Sequence, residues 1–150
     1  MKDLHNCVKV VQALDAQTLT ADANGSGIDR QGFESVEHIV NLGQSGDTLS
    51  GSVYVELVIQ ESDDNSSWSD VTAAADVLVG ADGISAAPNS SGVFATIDAA
   101  AEDERHFRIG YIGGKRYSRV QIDLTGTHTN GIPAAALAVL GHAEQAKVSD

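Results

Sequence analysis

The run SVYVELVIQES, residues 52–62, decides the fold class. Side chains alternate across a strand, so Val53, Val55, Leu57 and Ile59 share one face, and Tyr54, Glu56 and Gln60 take the other. Val58 breaks the alternation. One apolar and one polar face is the mark of an antiparallel sheet with one side on a core and one in water. The residues that follow, DDNSSWSDV (63–71), predict a hairpin tip, because Asp, Asn and Ser hydrogen-bond their own backbone and suit turns. Trp68 anchors the return strand.

Upstream, SVEHIVNLG (35–43) reads as a short strand ending at Gly43, and QSGDTLSG (44–51) as a turn cluster. Before it, CVKVVQAL (7–14) is apolar and partly alternating, a strand or an amphipathic arm. DAQTLTADANGSGIDRQGF (15–33) is polar and glycine-bearing, which reads as a loop or extended segment. Residues 1–34 are therefore expected to form an extended N-terminal arm, with Arg30 and Phe33 near its end as contact residues.

Downstream, DVLVGADGISAAPNSSG (76–92) holds a short strand at Val77–Val79 within a long excursion, and VFATIDA (93–99) is another strand. AAAEDE (99–104) is an acidic link. RHFRIGYIG and RYSRVQIDLTG read as a second hairpin around IGGK, with Phe107, Ile109 and Tyr111 on one face of the first arm and Val120, Ile122 and Leu124 on one face of the second. Gly113-Gly114 can supply the positive φ of a two-residue turn. Asn130-Gly131 marks a further turn. AAALAVLGHA (134–143) allows a helix or a last strand. The tail EQAKVSD (144–150) is polar and expected to be flexible. Seven or eight short strands with turn signals between them predict an all-β protein. The expected fold is an antiparallel β-sandwich or jelly-roll-like barrel over residues 35–143.

Composition narrows the function. With 150 residues the chain is long enough to bury a core without staples. Nine Lys and Arg stand against twenty-one Asp and Glu, a net charge of −12 that argues against general nucleic-acid binding. Cys7 is the sole cysteine, so no internal disulfide forms. The N-terminal residues lack the apolar core of a secretory signal, and no run approaches the roughly 20 apolar residues of a membrane span. Synthesis and folding in a cytoplasm, with no membrane partner, is the expectation.

Chemistry finds little footing. His5 and Cys7 are two residues apart, yet a catalytic pair needs an orienting third group and an oxyanion hole. The five histidines are scattered, with no H-E-x-x-H. Asp63, Asp64 and Asn65 offer hard oxygen ligands, but not at the spacing of a calcium loop. Acid pairs suited to glycoside hydrolysis discriminate nothing among twenty-one acids. The glycines around Lys115 match no phosphate loop, since a strand pattern follows them. No enzymatic activity and no cofactor are expected.

The basic residues are the anomaly. Arg105, Arg108, Lys115, Arg116 and Arg119 are five of the nine cations in the whole chain. If the hairpin is regular, Arg108, Lys115, Arg116 and Arg119 crowd one outer surface. They either pair with the protein's own acids, for example Glu102, Asp103 and Glu104, or recognise carboxylates of another copy or a partner.

The order of these pieces resembles a family of small tailed-phage head decoration (cement) proteins encoded beside the major capsid gene. The pieces are GIDRQGFESVEHIVNLG, DTLSGSVYVELVIQESDDNSSWSDV, GYIGGKRYSRVQIDLTGTHTNG and AALAVLGHA, which together cover most of residues 25–143. The resemblance implies a structural virion protein on the outer surface of an icosahedral capsid, made in the host bacterial cytoplasm. It implies the major capsid protein as partner and a homotrimer at threefold positions, and it carries over no catalytic residue. A carbohydrate-binding β-sandwich is the alternative; it would use Tyr54, Trp68, Tyr111 and Tyr117 along a groove.

Overall fold

A computed structural model describes residues 4–80 and 85–143. The chain forms two facing antiparallel sheets. In order the strands are β1 (Val8–Leu19), β2 (Ala23–Asn24), β3 (Ile28–Asp29), β4 (Phe33–Leu42), β5 (Tyr54–Ser62), β6 (Ser69–Asp70), β7 (Val77–Val79), β8 (Val93–Ile97), β9 (His106–Tyr111), β10 (Tyr117–Thr125) and β11 (Ile132–Ala143). Sheet I runs β1-β11-β4-β9-β7. Sheet II runs β2-β10-β5-β6, with β3 also on β10 and β8 also on β5. If β2 and β3 count as one broken strand, sheet I carries the first, last, third and sixth long strands and sheet II the second, seventh, fourth and fifth. That interleaving is the double Greek key of a jelly roll.

β5 behaves as its alternation predicts. Val55, Leu57 and Ile59 are fully buried against sheet I, and the 63–67 turn returns through Trp68 into β6 with Gln60 opposite Asp70. The Asp64 carboxylate accepts from the backbone N–H groups of Ser66 (2.9 Å) and Ser67 (2.7 Å) and from the Ser62 hydroxyl (2.9 Å). Those bonds hold it well below the ordinary carboxylate range. The interlayer core is completed by Val36, Val40 and Leu42 of β4, Phe107, Ile109 and Tyr111 of β9, Val120 and Ile122 of β10, and Leu140 of β11.

Two expectations need correction, and one left open is decided. First, residues 8–29 are not a free arm. β1 pairs along its length with β11, while β2 and β3 cross to β10 of the other sheet. Ala13, Leu19 and Ile28 are buried in the core, which ties these residues down despite their polar neighbours. Residues 1–3 and the tail 144–150 lie outside the described residues.

Second, β9 and β10 do not form a hairpin. β9 pairs with β4 and β7 in sheet I, and β10 pairs with β5 in sheet II. Both arms bury an apolar face, and the connection crosses between layers so that these faces meet. Gly113 and Gly114 accordingly lack positive φ; among the described residues Gly32, Gly92, Gly126 and Gly131 adopt it.

The segment AAALAVLGHA, open between helix and strand in sequence, belongs to β11, an interior strand of sheet I between β1 and β4. The Asn130-Gly131 turn that leads into it has the left-handed glycine expected, at φ 76°. There the Asp47 carboxylate accepts from the backbone N–H groups of Asn130 (3.0 Å) and Gly131 (2.8 Å).

Candidate interaction surfaces

The crossing of β9 and β10 between sheets separates the basic residues into three places. Arg30, Phe33, Lys115 and Arg116 gather at one end of the sandwich. Arg30, Phe33 and Arg116 line an open depression there together with Gln31, Gly32 and Glu34. Arg30 donates through Nε to the Lys115 carbonyl (2.8 Å) and through Nη2 to the Gly113 carbonyl, and its guanidinium lies 5.3 Å from the Tyr111 ring centre. It therefore pins the 112–116 crossing. Phe33 is half-buried against the core.

Arg116 grips Asp29 with its planar fork, Nε to Oδ1 at 3.0 Å and Nη2 to Oδ2 at 2.6 Å. Those bonds lower the Asp29 pKa from its ordinary value and raise that of Arg116. Lys115 forms an ion pair with Asp63. Its backbone N–H donates to the Tyr111 hydroxyl (3.0 Å), which in turn donates to Glu61 (2.6 Å).

Arg119 belongs to the outer face of sheet II. Its Nε donates to Gln60 (2.9 Å), and its guanidinium lies 4.3 Å from the Trp68 ring centre. Burial lowers its pKa. Arg108 stands on the opposite side of the molecule, on the outer face of sheet I, 3.7 Å from Glu37. The acidic link contributes differently from the pairing suggested by sequence: Asp103 accepts from the Ser45 backbone and Glu102 from the Asp98 backbone.

The aromatic residues do not share one groove. Tyr111 is fully buried. Tyr117 lies beneath Arg116, 5.1 Å from guanidinium carbon to ring centre. Tyr54 and Tyr117 sit at opposite ends of the β5–β10 ladder, opposite Thr125 and Ser62 respectively.

The two outer faces differ in character. On sheet II, Glu56 faces Asp123, and Gln60 donates to Asp70 (2.9 Å). The Asp123 pKa is raised by burial first, with Asp22, Glu56 and Asp70 adding like-charge repulsion. On sheet I, β11 buries Ala134, Ala136, Ala138 and Leu140 and turns Ala135, Leu137 and Val139 outward. Val10 of β1 lies opposite Val139, and Ile39 of β4 lies opposite Leu137. Leu78 of β7 lies opposite Gly110, where the Glu37 carboxylate also approaches. Val10 is 58% exposed, Leu78 57% and Leu137 38%. Two irregularities in β1, after Gln12 and after Leu14, open a depression of about 300 Å³ lined by Val10, Leu14, Ile39, Ala135 and Leu137 among others.

This second face was missed in the sequence, although a signal for it was there. Ile132 to Gly141 contains no polar side chain at either parity. A strand with one wetted face alternates; one apolar on both sides reads as covered on both.

Among the described residues no three His, Cys, Asp or Glu side chains group as metal ligands would. No helix among them is long and apolar enough to cross a membrane. No family model matches the chain, and no curated protein does. Solved structures do. The PBSX exported protein XepA aligns with a TM-score of 0.51 at 16% identity, over 95% of this chain and 40% of that one. The SPBc2 prophage-derived protein YomS aligns at 0.46 and 12%, over 90% and 93%. A Clostridium thermocellum xylanase 10B portion with CBM22-1 and GH10 modules aligns at 0.41 and 11%, over 96% and 27%. The chain spans 40% of the XepA chain, and that likeness shows the fold.

Proposed function

We propose that this chain is a structural protein of a tailed-phage head: a decoration or cement protein that binds the outer surface of the assembled capsid and stabilises it. One observation carries the reading. The sandwich has an outer sheet face that is apolar and nearly uncharged, opposite an acidic one. A chain with a net charge of −12 that still leaves such a face open is suited to adhesion against protein.

The mechanism needs no chemistry. The partner is the major capsid protein, and the working unit is a homotrimer at threefold positions. Binding to the mature shell and not to its dissociated subunits stabilises the shell by mass action. A multivalent unit on a matching symmetry axis gains avidity without new contacts. The cation-bearing end, with Arg30, Phe33, Lys115 and Arg116, is the shell-facing surface, where arginine forks meet capsid carboxylates.

Attachment tests this directly. Purified protein is added to expanded capsids that lack it, and bound protein is measured after sedimentation. Saturable binding together with a higher capsid melting temperature is expected. Capsids that sediment without bound protein and melt unchanged would refute it.

A further inference from the structure

Among the described residues, nothing covers the outer side chains of sheet I at Val10, Leu78 and Leu137, which are 58%, 57% and 38% exposed. With strands about 4.8 Å apart and about 3.3 Å per residue, β1, β11 and β4 from Pro133 to Gly141 together with the shorter β9 and β7 cover roughly 500 Å² in projection. One partner's share of a standard protein interface is about 800 Å² of accessible surface. The patch is therefore the size of a protein contact rather than of a small-ligand site.

Its charge singles out one kind of occupant. Glu37 and Arg108 stand side by side on β4 and β9, so the charges of the pair cancel. The acids that give the chain its net charge are concentrated elsewhere, for example Glu56, Asp70 and Asp123 on the outer face of sheet II. Packed sheets lie about 10 Å apart, so those carboxylates stand on the far side of the core from the sheet I surface. Two copies meeting through sheet I bring neutral apolar surface together, with Arg108 of one within reach of Glu37 of the other. Two copies meeting through sheet II set acid against acid.

We infer that the outer face of sheet I, centred on Val10, Ile39, Leu137 and Val139, is the surface through which this chain binds a second copy of itself. The inference rests on the decoration reading and adds to it: a face-to-face contact is isologous and pairs two copies, so it would link copies of neighbouring threefold units, and it leaves the Arg30–Arg116 end of every copy free to face a shell. A contact carried by apolar area with paired charges depends little on ionic strength, unlike one carried by unpaired charge.

Sedimentation velocity on the full chain tests it, from low to high micromolar concentration and at low and high salt. The wild type is expected to associate with a salt-insensitive constant. Leu137→Asp and Val10→Lys are each expected to weaken association roughly a hundredfold while far-UV circular dichroism and the melting curve stay native. Val10 lies on an edge strand and is the more exposed of the two, so it serves if Leu137→Asp fails to fold. A control, Gln121→Lys on sheet II, is expected to leave association unchanged. A wild type that stays monomeric throughout overturns the inference, as does association that survives Val10→Lys and, if it folds, Leu137→Asp. If monomeric wild type bound capsids and Val10→Lys did not, the face would belong to the shell and the inference would fail while the decoration reading stood. Self-association through this face without capsid binding would sink that reading and leave the inference intact.

Discussion

His38 of β4 and Ser118 of β10 meet across the two sheets, Nε2 to Oγ at 2.8 Å, with both residues fully buried. The other ring nitrogen, Nδ1, has no hydrogen-bond partner among the described residues. A charged imidazole here would lose its hydration with no carboxylate to compensate. Burial accordingly drops the His38 pKa from 6.5 to about 4.

That depression sets a pH dependence. Below about pH 6.5 the unfolded chain takes a proton on His38, and the folded protein does not until about pH 4. Between those values the unfolded state binds more protons, so stability falls as pH falls, by about 3 kcal/mol over the whole window. Above pH 6.5 this group contributes no slope. Urea titrations of wild type and His38→Gln across this range check it. The variant should lose most of the slope. An unchanged slope would mean that His38 titrates normally in the fold.

Arg30 should matter more for stability than its position in a polar segment suggests. Arg30→Ala removes two charge-assisted bonds to the carbonyls of Gly113 and Lys115 and the contact with Tyr111. A loss of about 2 kcal/mol is expected by denaturant unfolding. Arg30→Lys should recover little, because an ammonium cannot bridge both carbonyls as the planar fork does.

Lys115 and Arg116 separate folding from attachment. Their partners, Asp63 and Asp29, are surface groups, and exposed pairs add little to stability. The Lys115→Ala, Arg116→Ala double variant should fold, with its melting temperature lowered by only a few degrees. Its capsid occupancy should fall well below that of the wild type in the sedimentation assay. Equal occupancy would remove the basic end from the shell contact.

Gly131 is a strict backbone requirement. Its φ is 76°, and a Cβ there would stand 2.5 Å from the Leu19 carbonyl oxygen. Gly131→Ala should cost about 2 kcal/mol or more, since it combines left-handed strain with a clash between the end of β1 and the start of β11. Thermal unfolding reads this, and a native melting curve would contradict it.

Local pattern carried much of the fold. The alternation of 52–62, the turn residues of 63–67 and Asn130-Gly131 all act over a few residues, and those elements stand where they were expected. What could not be read is what depends on pairing between distant segments. RHFRIGYIGGKRYSRVQIDL looks like a hairpin because both arms alternate about a glycine pair. The partners that divide it, β4 for one arm and β5 for the other, lie far upstream. Residues 8–29 looked like an arm because an edge strand with irregular register buries few side chains; Ala13, Leu19 and Ile28 are small signals among polar neighbours. The basic cluster dissolved for the same reason, as sheet assignment put Arg108 and Arg119 on opposite faces. The apolar face of sheet I was readable from Ile132 to Gly141, where both parities are apolar.

The central claim is that this polypeptide is a component of a phage particle. Cryo-electron microscopy of purified particles from the source, paired with mass spectrometry of the same preparation, tests it most directly. The account predicts this chain among the virion proteins and density of its size above the capsid surface at threefold positions. Particles with a bare shell and no trace of the polypeptide would contradict it.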